Sequence, residues 1–166
     1  MRGLIALFCG FLLFGCVAPS AYERGLEARK SGKFQEAIEQ FSNAIKEDPN
    51  NVEAYIRRGN SYASIKDYSR AIADFNQAVR IDSSNANAYH SRGNSYYRLG
   101  DTNKAIADWT QVIALDPINA KAYSNRSTAY AKQKNYKNAT LDAKTACDLG
   151  DCEAFIYLSD SKLLVE

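Results

Sequence analysis

Apolar and small residues recur along this chain with a period of 34 residues. Within one period, apolar side chains fall at three- and four-residue spacing in two successive stretches, which is typical of two amphipathic helices. The pattern predicts four blocks of two helices each, over 18–51, 52–85, 86–119 and 120–153. The columns in register are Tyr55, Tyr89 and Tyr123; Gly25, Gly59 and Gly93; Tyr62, Tyr96 and Tyr130; Ala37, Ala71, Ala105 and Ala139; and Phe41, Phe75 and Trp109.

Signals for helix boundaries repeat in the same register. Ser20 and Glu23 predict a capping box at the start of the first block. Asp48-Pro49 and Asp116-Pro117 predict helix ends, because proline lacks an amide hydrogen and disfavours helix in the residue before it. The other predicted N-caps are Asn51, Asn85 and Asn119 before first helices and Asp67, Asp101 and Asn135 before second helices.

These columns resemble the tetratricopeptide repeat, and the resemblance covers residues 18–153. One helix pair cannot bury its apolar face alone, so successive pairs stack into a solenoid. We therefore expect an all-α fold, an α-solenoid of four helix-turn-helix tetratricopeptide repeats plus a C-terminal capping helix over 154–166. The resemblance implies a scaffold for a protein or peptide partner.

The N-terminal segment predicts an export signal. Leu4 to Phe14 is almost purely apolar and follows Arg2, and the stretch is shorter than the ~20 residues of a membrane span. The run Leu13-Phe14-Gly15-Cys16 resembles the lipobox of bacterial lipoproteins. That resemblance implies a signal peptide over 1–15, acylation of Cys16 and a short lipidated linker over 16–20. An uncleaved anchor helix over 3–22 is the alternative.

The lipoprotein resemblance also implies a location in the cell envelope, anchored to a membrane. Val17 follows the cysteine, where enterobacterial lipoproteins kept in the inner membrane carry aspartate, so the periplasmic side of the outer membrane is expected. Cys147 and Cys152 would remain in the exported chain, and an even number of cysteines in an oxidising compartment favours a disulfide. Two unpaired cysteines are the alternative.

Two charged columns follow the same period. Arginine recurs at position 7 of blocks two to four, and aspartate recurs 16 residues later. In an antiparallel helix pair these positions face each other, which predicts a repeated ion pair; presentation of the arginines to a ligand is the alternative. In block one, Arg24 stands opposite Gln40 and the charged pair is missing. The predicted pairs are Arg58 with Asp74, Arg92 with Asp108, and Arg126 with Asp142.

In tetratricopeptide proteins the first helices line a concave face, and the resemblance implies a binding groove there. Its predicted charge is mildly basic, and its asparagines can both donate to and accept from a peptide backbone. Tyr97 follows the core residue Tyr96 and is therefore predicted to lie outside the core. The predicted groove residues are Arg57, Asn60, His90, Asn94, Tyr97, Arg98, Lys121 and Asn125. Ile56, Ser124 and Lys132 are expected on the same face.

Composition removes several function classes. A net charge of +2 gives no basic footprint for nucleic acid, and a single histidine gives little material for a metal site or a catalytic triad. We expect no catalytic residue, metal, cofactor or small-molecule substrate. Two hypotheses remain: a membrane-anchored scaffold that binds protein segments in envelope assembly, and a peptidoglycan-associated envelope factor.

Overall fold

A computed structural model describes residues 18–164 of the protein. The predicted signal peptide over 1–15 and the predicted acylation site Cys16 lie outside these residues. The described chain forms helices and no strand. The helices are α1 (Ala21–Lys30), α2 (Phe34–Glu47), α3 (Val52–Ser64), α4 (Tyr68–Ile81), α5 (Ala86–Leu99), α6 (Thr102–Leu115), α7 (Ala120–Lys132), α8 (Tyr136–Asp148) and α9 (Glu153–Asp160). No helix within this range is long and apolar enough to cross a membrane.

The predicted caps set the helix boundaries. The Ser20 side chain accepts a hydrogen bond from the Glu23 amide, and the Glu23 carboxylate accepts one from the Ser20 amide, which completes the capping box. At all six other predicted N-caps the side chain accepts a hydrogen bond from an amide of the first helical turn. Helices α2 and α6 end at Asp48 and Asp116, each directly before proline.

The helices pack as four antiparallel pairs stacked in chain order. Each first helix packs on its own second helix and on the second helix of the pair before it. First helices also touch one another, as α1 touches α3 and α3 touches α5. The fold class predicted from the sequence is therefore confirmed, including a short capping helix, α9, after the last pair.

The glycine column exists because the aromatic column fills the space beside it. A Cβ at Gly25 would lie 2.6 Å from Cε1 of Phe41, and one at Gly59 would lie 2.7 Å from Cε1 of Phe75. Block four departs from the glycine column with Ser127. Its aromatic partner is replaced by Ala143, and the buried Ser127 hydroxyl donates to the Ala139 carbonyl at 2.7 Å.

The repeated arginine–aspartate pairs are confirmed. Each arginine donates through Nε and Nη2 to both carboxylate oxygens of its aspartate, at 2.7 to 2.9 Å. The remaining Nη1 donates to a side chain on the second helix of the preceding pair: Ser42, Asn76 or Thr110. Each guanidinium thus joins three helices across two repeats. In the first repeat Arg24 donates to Gln40 instead, at 2.8 Å.

The C-terminal end of the stack is closed by α9. Ala154 and Leu158 are buried against Ala139 and Ala143 of α8, so the last helix pair does not end on an open apolar face. The turn before α9 contains Gly150 at φ 99°, a backbone conformation that favours glycine. The structure pairs Cys147 of α8 with Cys152 at the start of α9 as a disulfide across this turn.

Candidate binding groove

The first helices and α9 together form the face that we call the groove, and its centre is a cavity of about 400 Å³ between α5 and α7. We call this the central cavity. Six of the eight predicted groove residues line it: His90, Asn94, Tyr97, Arg98, Lys121 and Asn125. Trp109 and Thr128 complete the lining. The repeat period alone brings these side chains together, since they come from equivalent turns of two successive first helices.

Asn125, His90 and Asn94 form a side-chain hydrogen-bond network in the lining of the central cavity. The Asn125 amide nitrogen lies 3.1 Å from Nε2 of His90 and donates to Oδ1 of Asn94 at 3.2 Å. Because the amide nitrogen can only donate, Nε2 of His90 accepts, and the imidazole proton lies on Nδ1. Burial lowers the pKa of His90, and the charge of Lys121 lowers it further. The histidine is therefore neutral at pH 7, as the network requires.

Tyr97 corrects one expectation. It was predicted to lie outside the core, but its partly buried ring packs on Trp109, with centroids 5.9 Å apart, against the apolar cluster of the third and fourth repeats. Trp109, the aromatic residue at position 24 of block three, extends beneath α5, and the Tyr97 ring packs against it. The other face of the ring meets the Lys132 ammonium at 4.8 Å. Tyr97 thus forms part of the cavity wall and supports the core.

A second cavity, of about 320 Å³, adjoins the first along α1, α3 and α5, and we call it the adjacent cavity. Asn94 and Arg98 line both cavities, so the two lie side by side in the groove. Asn60, the seventh predicted groove residue, lines the adjacent cavity together with Arg29 of the first repeat. Within the part of the chain that the structure describes, no carboxylate lines either cavity.

A third cavity, of about 340 Å³, continues the groove toward α9, and we call it the terminal cavity. It shares Lys121, Asn125 and Thr128 with the central cavity. Tyr157 and Glu153 of α9 form its far wall. The three cavities therefore lie in a row along the groove, and together their linings include residues of all four first helices.

Two side chains expected on the groove, Arg57 and Ile56, line none of its cavities, and a third, Ser124, is buried within it. Arg57 lines none of the three cavities, because its guanidinium pairs with Glu53 one helical turn earlier, at 2.6 Å. Ile56 is buried against Phe75 in the core, because the next helix pair covers this position of α3. Ser124 is also buried, although it contributes to the terminal cavity.

The groove also contains residues that the sequence analysis did not assign to it. Arg29 occupies position 12 of block one, the position that places Tyr97 in the groove from block three. Extending the same positions to the first block would have found it. Glu153 is the last residue of the fourth block, and Tyr157 lies beyond it in α9, where the period no longer applies. Among residues 18–164, no cluster of histidine, cysteine and acidic side chains could hold a metal ion.

Comparison with known families agrees with this architecture. A family model described as "Tetratricopeptide repeat" matches residues 22–86, and one described as "TPR repeat" matches residues 93–134. The chain thus contains tetratricopeptide repeats, and its described part folds as a tetratricopeptide solenoid. No curated protein matches the chain.

Solved structures with the same fold include proteins with bound peptides. The crystal structure of MamA protein is 25% identical, covers 86% of this chain and 81% of its own, and superposes with a TM-score of 0.78. The first TPR of Spaghetti (RPAP3), bound to the HSP90 peptide SRMEEVD, is 28% identical over 68% of this chain and 90% of its own, with a TM-score of 0.67. The second TPR domain of human RPAP3, in complex with the HSP70 peptide SGPTIEEVD, is 33% identical over 66% and 92%, with a TM-score of 0.64.

Proposed function

We propose that the protein is a membrane-anchored scaffold that holds an extended segment of a partner protein in its groove, in the bacterial cell envelope. The observation that carries the proposal is that three neighbouring cavities lie in a row along the groove. Each shares side chains with the next, so a single extended chain could run along all of them. Two solved relatives hold peptides on the same fold.

The chemistry of the groove suits a peptide backbone. Asparagine side chains recur along it, and an amide group can donate to a peptide carbonyl while accepting from a peptide amide. Asn60 has no hydrogen bond from its side chain to other described residues, and the Asn94 amide nitrogen donates none. A bound segment would satisfy these groups, as a β-strand partner would in a sheet.

The membrane anchor is the part of the proposal that rests on the lipobox. Acylation of Cys16 would tether the groove close to the membrane surface, and several acyl chains would hold it firmly because one chain alone binds only marginally. Cys16→Ser is expected to abolish signal-peptide processing and labelling with a fatty-acid probe. A Cys16→Ser protein that is still processed and labelled would contradict the lipoprotein assignment.

Site-specific crosslinking in cells tests the scaffold function. A photoreactive residue at Ser91 or Thr128 would lie in the groove, whereas one at Ala73, exposed on α4, would not. We expect crosslinks to a protein from the two groove positions and not from Ala73. Products that survive protease but disappear after digestion of the cell wall would instead support the peptidoglycan-associated function. Equal products from all three positions would contradict a groove-specific partner.

A further inference from the structure

The adjacent cavity gathers positive charge that the chain does not neutralise. Arg29 lies in the last turn of α1 and Arg98 in the last turn of α5. Among residues 18–164, neither guanidinium forms a salt bridge, and the Arg29 Nε–H is buried without an acceptor. Amide donors from Asn60 and Asn94 line the same cavity. The cavity therefore holds donors and cations that no anion among the described residues matches.

The other end of the groove is different. Lys121 lies 3.2 Å from a Glu153 carboxylate oxygen and 3.6 Å from one of Asp151. Its hydrogen bond to Glu153 raises the pKa of Lys121, so the ammonium stays charged and paired. Asp151 in the turn before α9 and Glu153 at the start of α9 thus supply carboxylates at this position, and an incoming acidic group would have to displace them.

We propose that Arg29 and Arg98 together bind a side-chain carboxylate of the partner segment, which makes the adjacent cavity the acid-recognising part of the groove. The inference rests on the proposed function and specifies its partner as a segment that carries aspartate or glutamate. Arg29 and Arg98 line the same cavity, so a carboxylate bound there can accept charge-assisted hydrogen bonds from their guanidinium groups. The asparagines beside it bind the backbone of the same segment.

The experiment uses the full-length protein in detergent and two labelled peptides with blocked termini. One alternates glutamate with glycine, and the other has glutamine in place of every glutamate, so the peptides differ only in side-chain charge. Fluorescence anisotropy should show binding of the glutamate peptide, and that binding should weaken as salt is raised. Arg29→Gln and Arg98→Gln should each weaken it about fivefold, since partly exposed ion pairs contribute modestly.

Matched variants separate recognition from folding. Arg80→Gln removes the same charge from an exposed position of α4 that lines none of the three cavities, so binding should not change. Arg29→Lys with Arg98→Lys keeps the charge and should retain most of the binding. Lys121→Gln lies in the groove and should weaken binding of the glutamate peptide less than either arginine variant, because Asp151 and Glu153 already balance the Lys121 charge.

Several outcomes would overturn the proposal. Equal binding of the two peptides, or loss of binding with Lys121→Gln but not with the arginine variants, would place acid recognition elsewhere. If the arginine variants lower the melting temperature but do not weaken peptide binding, the two arginines stabilise the C-terminal turns of their helices and do not recognise the ligand. No binding of the glutamate peptide would also refute it. Groove-specific crosslinks to a protein would still support the scaffold function in each case.

Discussion

The ion pair of the third repeat allows a prediction whose size follows from its geometry. Asp108 is 6% exposed and accepts from Arg92 through both carboxylate oxygens, at 2.7 and 2.9 Å. Asp108→Ala leaves the guanidinium bonded only to Asn76. Removing one partner of a buried ion pair costs about 3 to 5 kcal/mol, and the lower figure applies here because water can still reach part of the arginine. We therefore expect a loss of about 3 kcal/mol in the free energy of unfolding.

The first repeat provides the control. Gln40 occupies the register position of Asp108, but its hydrogen bond from Arg24 is exposed and it carries no charge. Gln40→Ala should cost less than about 1 kcal/mol. For a chain of this size, the difference corresponds to a melting temperature that is about 5 to 10 °C lower for Asp108→Ala than for Gln40→Ala.

Urea denaturation followed by far-UV circular dichroism measures both variants. A double replacement, Arg92→Met with Asp108→Leu, should recover most of the lost stability, because apolar residues of similar volume replace a buried ion pair at little cost. Equal urea midpoints for Asp108→Ala and Gln40→Ala would refute the reasoning. The buried Arg92–Asp108 ion pair would then contribute no more to stability than the exposed Arg24–Gln40 hydrogen bond.

Three further predictions concern packing, protonation and covalent structure. Gly59→Ala should destabilise the fold by about 1 kcal/mol, because the clash with fully buried Phe75 outweighs the gain in helix propensity; unchanged urea midpoints would contradict this. His90 has its pKa lowered from 6.5 in the folded chain, so the unfolded chain binds the proton more readily and stability should fall as pH drops below 6.5. His90→Gln should reduce the slope of the melting temperature against pH in that range. An unaltered slope would mean that other titrating groups cause the loss of stability. Intact mass before and after alkylation, on protein purified from the envelope without reductant, should show no free thiol at Cys147 and Cys152; two alkylated thiols would remove the disulfide from the exported form.

Most of the fold could be predicted because several independent structural features repeat with the same 34-residue period. Caps, small residues, aromatic residues and ion-pair partners all recur at the same spacing, so each block supports the assignment of the others. The pairing of Arg58 with Asp74, for example, follows from two columns that an antiparallel helix pair brings together. The exchange of glycine and aromatic for Ser127 and Ala143 in block four obeys the same volume constraint.

The groove was less predictable because its charges are settled by contacts outside the repeat pattern. Lys121 pairs with Glu153, the first residue of α9, a helix that has no counterpart in the earlier blocks. Arg57 pairs with Glu53 on its own helix and so leaves the groove. The Tyr97 ring packs on Trp109 and is therefore partly buried. The sequence therefore indicated the correct face, while the location of its unpaired positive charge required the packed structure.

The central claim is that one partner segment lies along the groove, and crosslink mapping on the partner tests it most directly. Photoreactive residues at Ser91 and Thr128 lie in the adjacent and central cavities, respectively. Mass spectrometry of the products should identify the same protein from both positions, with the two crosslinked sites close together in one short segment of its sequence. Crosslinks to unrelated proteins, or to sites far apart on a folded partner, would contradict a single extended segment in the groove.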